Sequence, residues 1–310
     1  MKNKTLNYFN SNSYERCYIL SAKRILIVLI SFILFYCSEK KNYNKTKFEI
    51  TYPEKFSENG YDGRLLLMIS NNNNAEPRFQ INDSHHTQII FGIDVESWKS
   101  GETQIFDSNV YGYPIKSIGN LKEGEYYVQA FLHKYETFNL STGYKVKLPK
   151  DQGEGQKWNI SPKNLYSTPK KVKISKSGTV KLSLENEISP IEPIKDSKYI
   201  KHVKIKSEML SKFWGRDMFL QANVLVPHNF NKNSKVKYPL MIFHGHFPNT
   251  FRGFRTEPPA APKKDTIYNS RFGITGYKYI QEKEAYDLYK NWISDDFPRF
   301  IAIEIQHQNP

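Results

Sequence analysis

Tyr238-Pro239-Leu240-Met241-Ile242-Phe243-His244-Gly245-His246-Phe247-Pro248 is the stretch on which the fold turns. A short apolar run, bounded by the polar segment 229–237 on one side and by Gly245 and Pro248 on the other, reads as a buried strand opening into a loop. A long loop with Pro258, Pro259 and Pro262 follows. Tyr279 to Trp292 then reads as a helix, with Tyr279, Ile280, Ala285, Tyr286, Leu288, Tyr289 and Trp292 at its apolar positions. Arg299 to Ile305 (RFIAIEI) is a last apolar strand. Strand, helix, strand with apolar strands is what a parallel α/β sheet requires. Upstream, Val203 to Leu210 and Asp217 to Val226 supply an extended pair that ends at Pro227.

Further towards the N-terminus the pattern changes. Arg64 to Ser70 and Gln88 to Asp94 are compact apolar runs bounded by turn formers. Tyr126, Val128, Ala130 and Leu132 alternate with Tyr127, Gln129 and Phe131, and Val180, Leu182 and Leu184 alternate with Lys181 and Ser183. Such strands, with no amphipathic helix between them, predict an antiparallel β-sandwich over residues 47–184 with one apolar face turned inward. Residues 185–200, with two prolines and mixed charge, read as the linker to a domain over 201–310.

Residues 1–36 have the order of a signal peptide: Lys2, Lys4, Arg16, Lys23 and Arg24 precede an apolar run from Ile25 to Tyr36. Twelve helical residues span roughly 18 Å, too short for a hydrocarbon core of about 30 Å. Leu34-Phe35-Tyr36-Cys37 resembles a bacterial lipoprotein box, which implies lipidation at Cys37, export, and anchoring to a membrane through that residue. Bulky Tyr36 departs from the small residue usual before the cysteine, so an ordinary signal-peptidase site also stands open. Residues 37–46 then form a polar tether. Cys17 and Cys37 are the only cysteines, so the expected mature chain holds no disulfide, no thiolate zinc site and no cysteine nucleophile. Net charge is +14, but the lysines are scattered with no dense basic block, which argues against a nucleic-acid partner.

The pair ending in Asn223-Val-Leu-Val-Pro227, the polar loop after it and the strand running into His244-Gly245 resemble the start of an esterase-type α/β-hydrolase. Phe243 to Pro259, Trp292 to Pro310 and Ser207 to Arg216 also resemble uncharacterised bacterial esterase-like proteins with an N-terminal β domain. The resemblance implies a multidomain protein, β plus α/β. An antiparallel β-sandwich would be followed by the first strands and helix of an incomplete hydrolase sheet. It further implies that Gly245, His246 and Phe247 form the oxyanion loop, which lends a backbone N–H to the charge developing on a carbonyl oxygen. The departure is as informative. A nucleophile elbow needs Gly-x-Ser-x-Gly, and no such pentapeptide occurs. Nucleophile, acid and base are therefore expected beyond Pro310, so the chain alone is expected to be inactive, and an ester or acyl substrate enters only if a downstream half completes it.

Other constellations point to other chemistry. His244 and His246, two apart, could ligate a metal together with Glu304 and His307, although a loop histidine pair beside a glycine turn is the simpler account and no metal or cofactor is expected. Ser38-Glu-Lys-Lys41, Ser167-Thr-Pro-Lys170 and Ser234-Lys-Val-Lys237 match Ser-x-x-Lys, as chance allows in a lysine-rich chain. Trp98, Trp158, Trp214 and Trp292 could stack on sugars or simply fill a core. The alternative function is thus a surface or periplasmic β-sandwich module with a glycan or protein ligand.

Overall fold

The computed structural model describes residues 44–56, 59–150, 157–192, 194–244, 251, 253–260, 268–269 and 274–306. Strands dominate, in several sheets, and residues from Asn44 onward form one unit with two hydrophobic cores.

The first core lies between two sheets. β1 (Lys45–Thr51) stands between β4 (Gln104–Phe106) and β10 (Ser177–Ser183) in a three-stranded sheet. The second sheet has eight strands, with β6 (Gly124–Asn139) at its centre. β2 (Tyr61–Ser70), β3 (Ile89–Trp98) and β5 (Gly112–Tyr113) follow on one side of it. β8 (Leu165–Tyr166) and β11 (Asn186–Glu187) follow on the other, and β7 (Lys145–Leu148) and β9 (Lys170–Ile174) pair with further lengths of β6. Phe48, Ile50, Phe106 and Leu182 of the small sheet meet Leu65, Leu67, Ile69, Phe91, Val128, Ala130 and Leu132 of the large one.

Three sequence expectations need correction here. The sandwich is not wholly antiparallel, because β1 and β10 run parallel from Lys45↔Ser177 to Thr51↔Ser183; strands about 130 residues apart are joined by no hairpin that would set their direction. Nor does β6 present a bare outer face. Gln129 and Phe131, which alternate with the inward-facing Val128, Ala130 and Leu132, are fully buried as well. Gln129 donates to the Ser167 carbonyl and to Glu76 and accepts from the Arg78 N–H, while Trp158 lies edge-on to Phe131 at 5.2 Å. The boundaries also move: β1 starts at Lys45, inside the expected tether, and β11 occupies Asn186–Glu187, inside the expected linker, because both find strands to pair with.

The second core belongs to a four-stranded sheet of order β12-β13-β17-β14, from β12 (Ile200–Lys206), β13 (Phe219–Leu225), β14 (Leu240–His244) and β17 (Ile301–Gln306). The extended pair is present as β12 and β13, antiparallel, but Ser207 to Arg216 is not strand. Ser207 caps α1 (Glu208–Trp214) by accepting the Leu210 N–H, and Gly215 ends it with φ 66°. β13 runs antiparallel to β17, and β17 parallel to β14. A two-stranded ribbon, β15 (Tyr268–Asn269) with β16 (Ile274–Thr275), precedes α2 (Tyr277–Ile293), so β14, α2 and β17 form a parallel crossover unit. Trp292 of α2 is buried with Leu225, Ala302, Tyr199, Phe251 and Phe254, and its indole N–H donates to the Val226 carbonyl at 2.9 Å. Among the described residues no helix is long and apolar enough to cross a membrane.

Candidate functional site

In a parallel α/β arrangement ligands collect outside the carboxyl ends of the strands, where the loops leave the sheet. β14 and β17 are in register from Leu240↔Ile301 to His244↔Ile305, so both finish on the same edge. His244 is the last residue of β14 and is exposed. The expected oxyanion residues Gly245, His246 and Phe247 lie outside the described residues, as do His307 and the expected lipidation site Cys37. The chain is described again at Phe251, which is buried and meets Phe243 edge-on at 5.8 Å.

One row of polar side chains crosses the sheet just inside this edge. Residues paired in register share a face, and His202, Asn223 and Glu304 are paired in succession, with Phe243 as the next neighbour. Asn223 and Glu304 are buried. His202 Nδ1 lies 2.8 Å from Asn223 Oδ1, a contact that places the proton on the histidine nitrogen. Sequence reading did not connect these residues, because they lie on three strands separated by 21 and 81 positions and form no local motif. The apolar alternation of β13 and β17, interrupted at Asn223 and Glu304, was the only local signal.

The same register separates His244 from Glu304, which were grouped as possible metal ligands. Glu304 pairs with Phe243 and His244 with Ile305, so their side chains project to opposite faces. Among the described residues no group of three His, Cys, Asp or Glu side chains stands close enough to hold a metal ion.

The other candidates serve packing. Ser167 Oγ accepts the Ala130 N–H at 2.9 Å inside the sandwich, ahead of Lys170 at the start of β9. Ser234 Oγ accepts the Val236 N–H in the turn before β14, and Ser38 lies outside the described residues. Trp98 and Trp292 are buried, Trp98 with its indole N–H on the Glu102 carbonyl at 2.9 Å. Ser84 Oγ accepts the backbone N–H of His86 at 3.2 Å, a local turn contact that leaves the imidazole out of it. A cavity of 630 Å³, lined by Tyr199, Phe254, Arg255 and Tyr289, lies at the other end of the sheet, beside Ile200 at the start of β12. It adjoins the amino ends of the parallel strands, away from the loop after β14. Compared with family models, with curated proteins and with solved structures, the chain matches none.

Proposed function

We propose that residues 200–306 are the opening part of an esterase-type α/β-hydrolase sheet, and that acyl-ester hydrolysis by it depends on a nucleophile, acid and base carried by further polypeptide. The observation that supports this most is the β14-α2-β17 unit. β14 is the third strand of its sheet in chain order and α2 comes after the loop that leaves it, the position from which a hydrolase draws its first oxyanion donor. Gly245 follows directly on His244, where the absence of a side chain suits close approach to a substrate carbonyl. The protein is, in the same reading, exported and held at a membrane by a lipid on Cys37. The test is ester turnover together with covalent capture by a fluorophosphonate. The purified chain is expected to hydrolyse short-chain aryl esters no faster than buffer and to take up no label; a labelled serine whose alanine variant abolishes turnover would overturn the reading.

A second reading, that the β-sandwich is a binding module in its own right, draws on the closure of its core. Both faces of β6 are covered from Val128 to Leu132. The core cluster of residues 48–184 is thus built without side chains of the second sheet, and the sandwich can serve as a scaffold for a site on its surface.

A further inference from the structure

The sandwich carries a cavity of 420 Å³ between the start of β2, the middle of β6 and the segment 161–164. Phe56, Tyr61, Tyr135 and Pro162 supply an apolar wall, and Lys134, Lys150 and Lys163 face it with Glu136 and Glu187. The Lys134 ammonium stands 3.3 Å from Glu187 and 4.2 Å above the Tyr61 ring. Lys150 is 3.5 Å from Glu136, but that carboxylate is also held by Arg216 at 2.9 Å. Lys163 is exposed and makes no salt bridge among the described residues. Among the described lining residues, two carboxylates therefore face three lysines, and one of those carboxylates is shared with Arg216.

The backbone at Lys163 is unusual as well. Its φ is 65°, a left-handed conformation that a lysine adopts only when its surroundings impose it. The surroundings are a local ladder: the Lys163 N–H donates to the Ile188 carbonyl at 2.8 Å and the Ile188 N–H returns to the Asn164 carbonyl at 3.0 Å. Asn164 is fully engaged, accepting the Lys134 N–H on Oδ1 and donating from Nδ2 to the Trp158 carbonyl. The turn thus holds a lysine beside the cavity at a position where glycine or asparagine would sit without strain. Burial is the main cause that holds the Lys134 ammonium below the usual lysine range, against the opposing pull of Glu187, and the charge of Lys163 adds to the lowering, so an arriving anion would favour the charged form.

We propose that this cavity binds an anionic sugar, with the carboxylate or sulfate taken by Lys134, Lys150 and Lys163 and the ring laid against Phe56, Tyr61 and Tyr135. The proposal rests on the reading of the sandwich as a binding module. Size decides for a sugar over a bare inorganic anion. A water occupies about 30 Å³, and an anion a few times larger would leave most of the cavity and its aromatic wall unfilled, whereas organic ligands occupy pockets from about 300 Å³ upward. A sugar ring also has an apolar face for the aromatics and a polar rim for the lysines.

The experiment is binding of the full chain to four sets of probes: uronate- or sialate-bearing glycans, sulfated glycans, their neutral counterparts, and inorganic sulfate. Acidic glycans are expected to be retained about tenfold or more above the neutral ones, with affinity falling as salt is raised. Lys163→Asn is the decisive variant, because asparagine accepts the left-handed backbone and the fold should be kept. It should weaken binding about tenfold, as should Lys150→Gln. Retention of neutral glycans that Lys163→Asn leaves unchanged would overturn the cavity while keeping the binding-module reading. Retention on none of the glycan sets would overturn the sugar site and leave the binding-module reading only a protein ligand. Inorganic sulfate bound as tightly as a sulfated sugar would overturn the assignment to a sugar.

Discussion

Burial decides the charge of His133 in the middle of β6. The ring is largely enclosed, opposite Arg64 of β2 and 5.8 Å from the Tyr135 ring, and burial pushes its pKa down from 6.5 to about 4. A histidine that is neutral when folded and protonated when unfolded makes the unfolded chain bind more protons between those two values. Stability is therefore complete above pH 6.5 and is lost as pH falls towards 4. After a discount for partial exposure, the loss between pH 7 and pH 4.5 is about 2 kcal/mol. Chemical denaturation at a series of pH values checks this: His133→Leu should flatten the slope over that window, and an unchanged slope would show that other groups carry it. Sequence reading could not single out this residue, since it lies just past the alternating run 126–132 and its enclosure comes from segments distant in the chain.

At the scale of elements, α1 ties the second sheet to the end of β6. Trp214 meets Phe138 of β6 edge-on at 5.6 Å, and the Ser141 N–H donates to the Phe213 carbonyl at 2.9 Å. Arg216 binds Glu136 at 2.9 Å with its guanidinium over the Phe138 ring. Gly215 sits at the centre of this contact, with φ 66° and a backbone so close that a Cβ would come 2.6 Å from the Asn139 carbonyl oxygen. Gly215→Ala would pay about 1–2 kcal/mol for the left-handed backbone alone, and the clash with β6 comes on top. Calorimetry should then show the second core melting earlier and apart from the sandwich; one unshifted transition would mean that α1 does not couple them. The capping signals for this helix, Ser207 ahead of Glu208 and Gly215 after Trp214, were present in the sequence but hidden inside what read as an extended pair. β14, α2 and β17 were legible because their runs differ in length and period, β2 because its compact apolar run is bounded by turn formers, and β6 because its apolar residues alternate. The parallel partnership of β1 with β10 was not, since nothing local encodes which way two distant strands align.

For the whole molecule the two sheets end in different states. The sandwich is closed, whereas among the described residues the second sheet is covered by α2 on one face only. On the other face stand Ile205, Leu220, Leu240 and Ile242, exposed to 60, 49, 57 and 51 %, with Ile301, Ile303 and Ile305 between them. Parallel strands normally have both faces covered, and an apolar face of this kind beside an edge of β14 that no described strand pairs favours association. The loop after β14, expected from the hydrolase resemblance to supply an oxyanion donor, lies outside the described residues; the row of His202, Asn223 and Glu304 and the lysine-lined cavity were not legible in the sequence, because each is assembled from segments that only the fold brings together. Ile205 and Leu220 are directly paired across β12 and β13, so Ile205→Lys with Leu220→Glu replaces two exposed apolar side chains by an opposite-charge pair. Neither residue belongs to the core formed by Trp292, Leu225 and Ala302, and the stability of the chain should change by no more than about 0.5 kcal/mol. Association should change a great deal. Light scattering and sedimentation at rising concentration are expected to show the unaltered chain forming larger species and the double variant remaining monomeric. Equal association by both would mean that the bare face is not what draws the molecules together, and a double variant that unfolds would mean that these two side chains contribute more to the sheet than their exposure indicates.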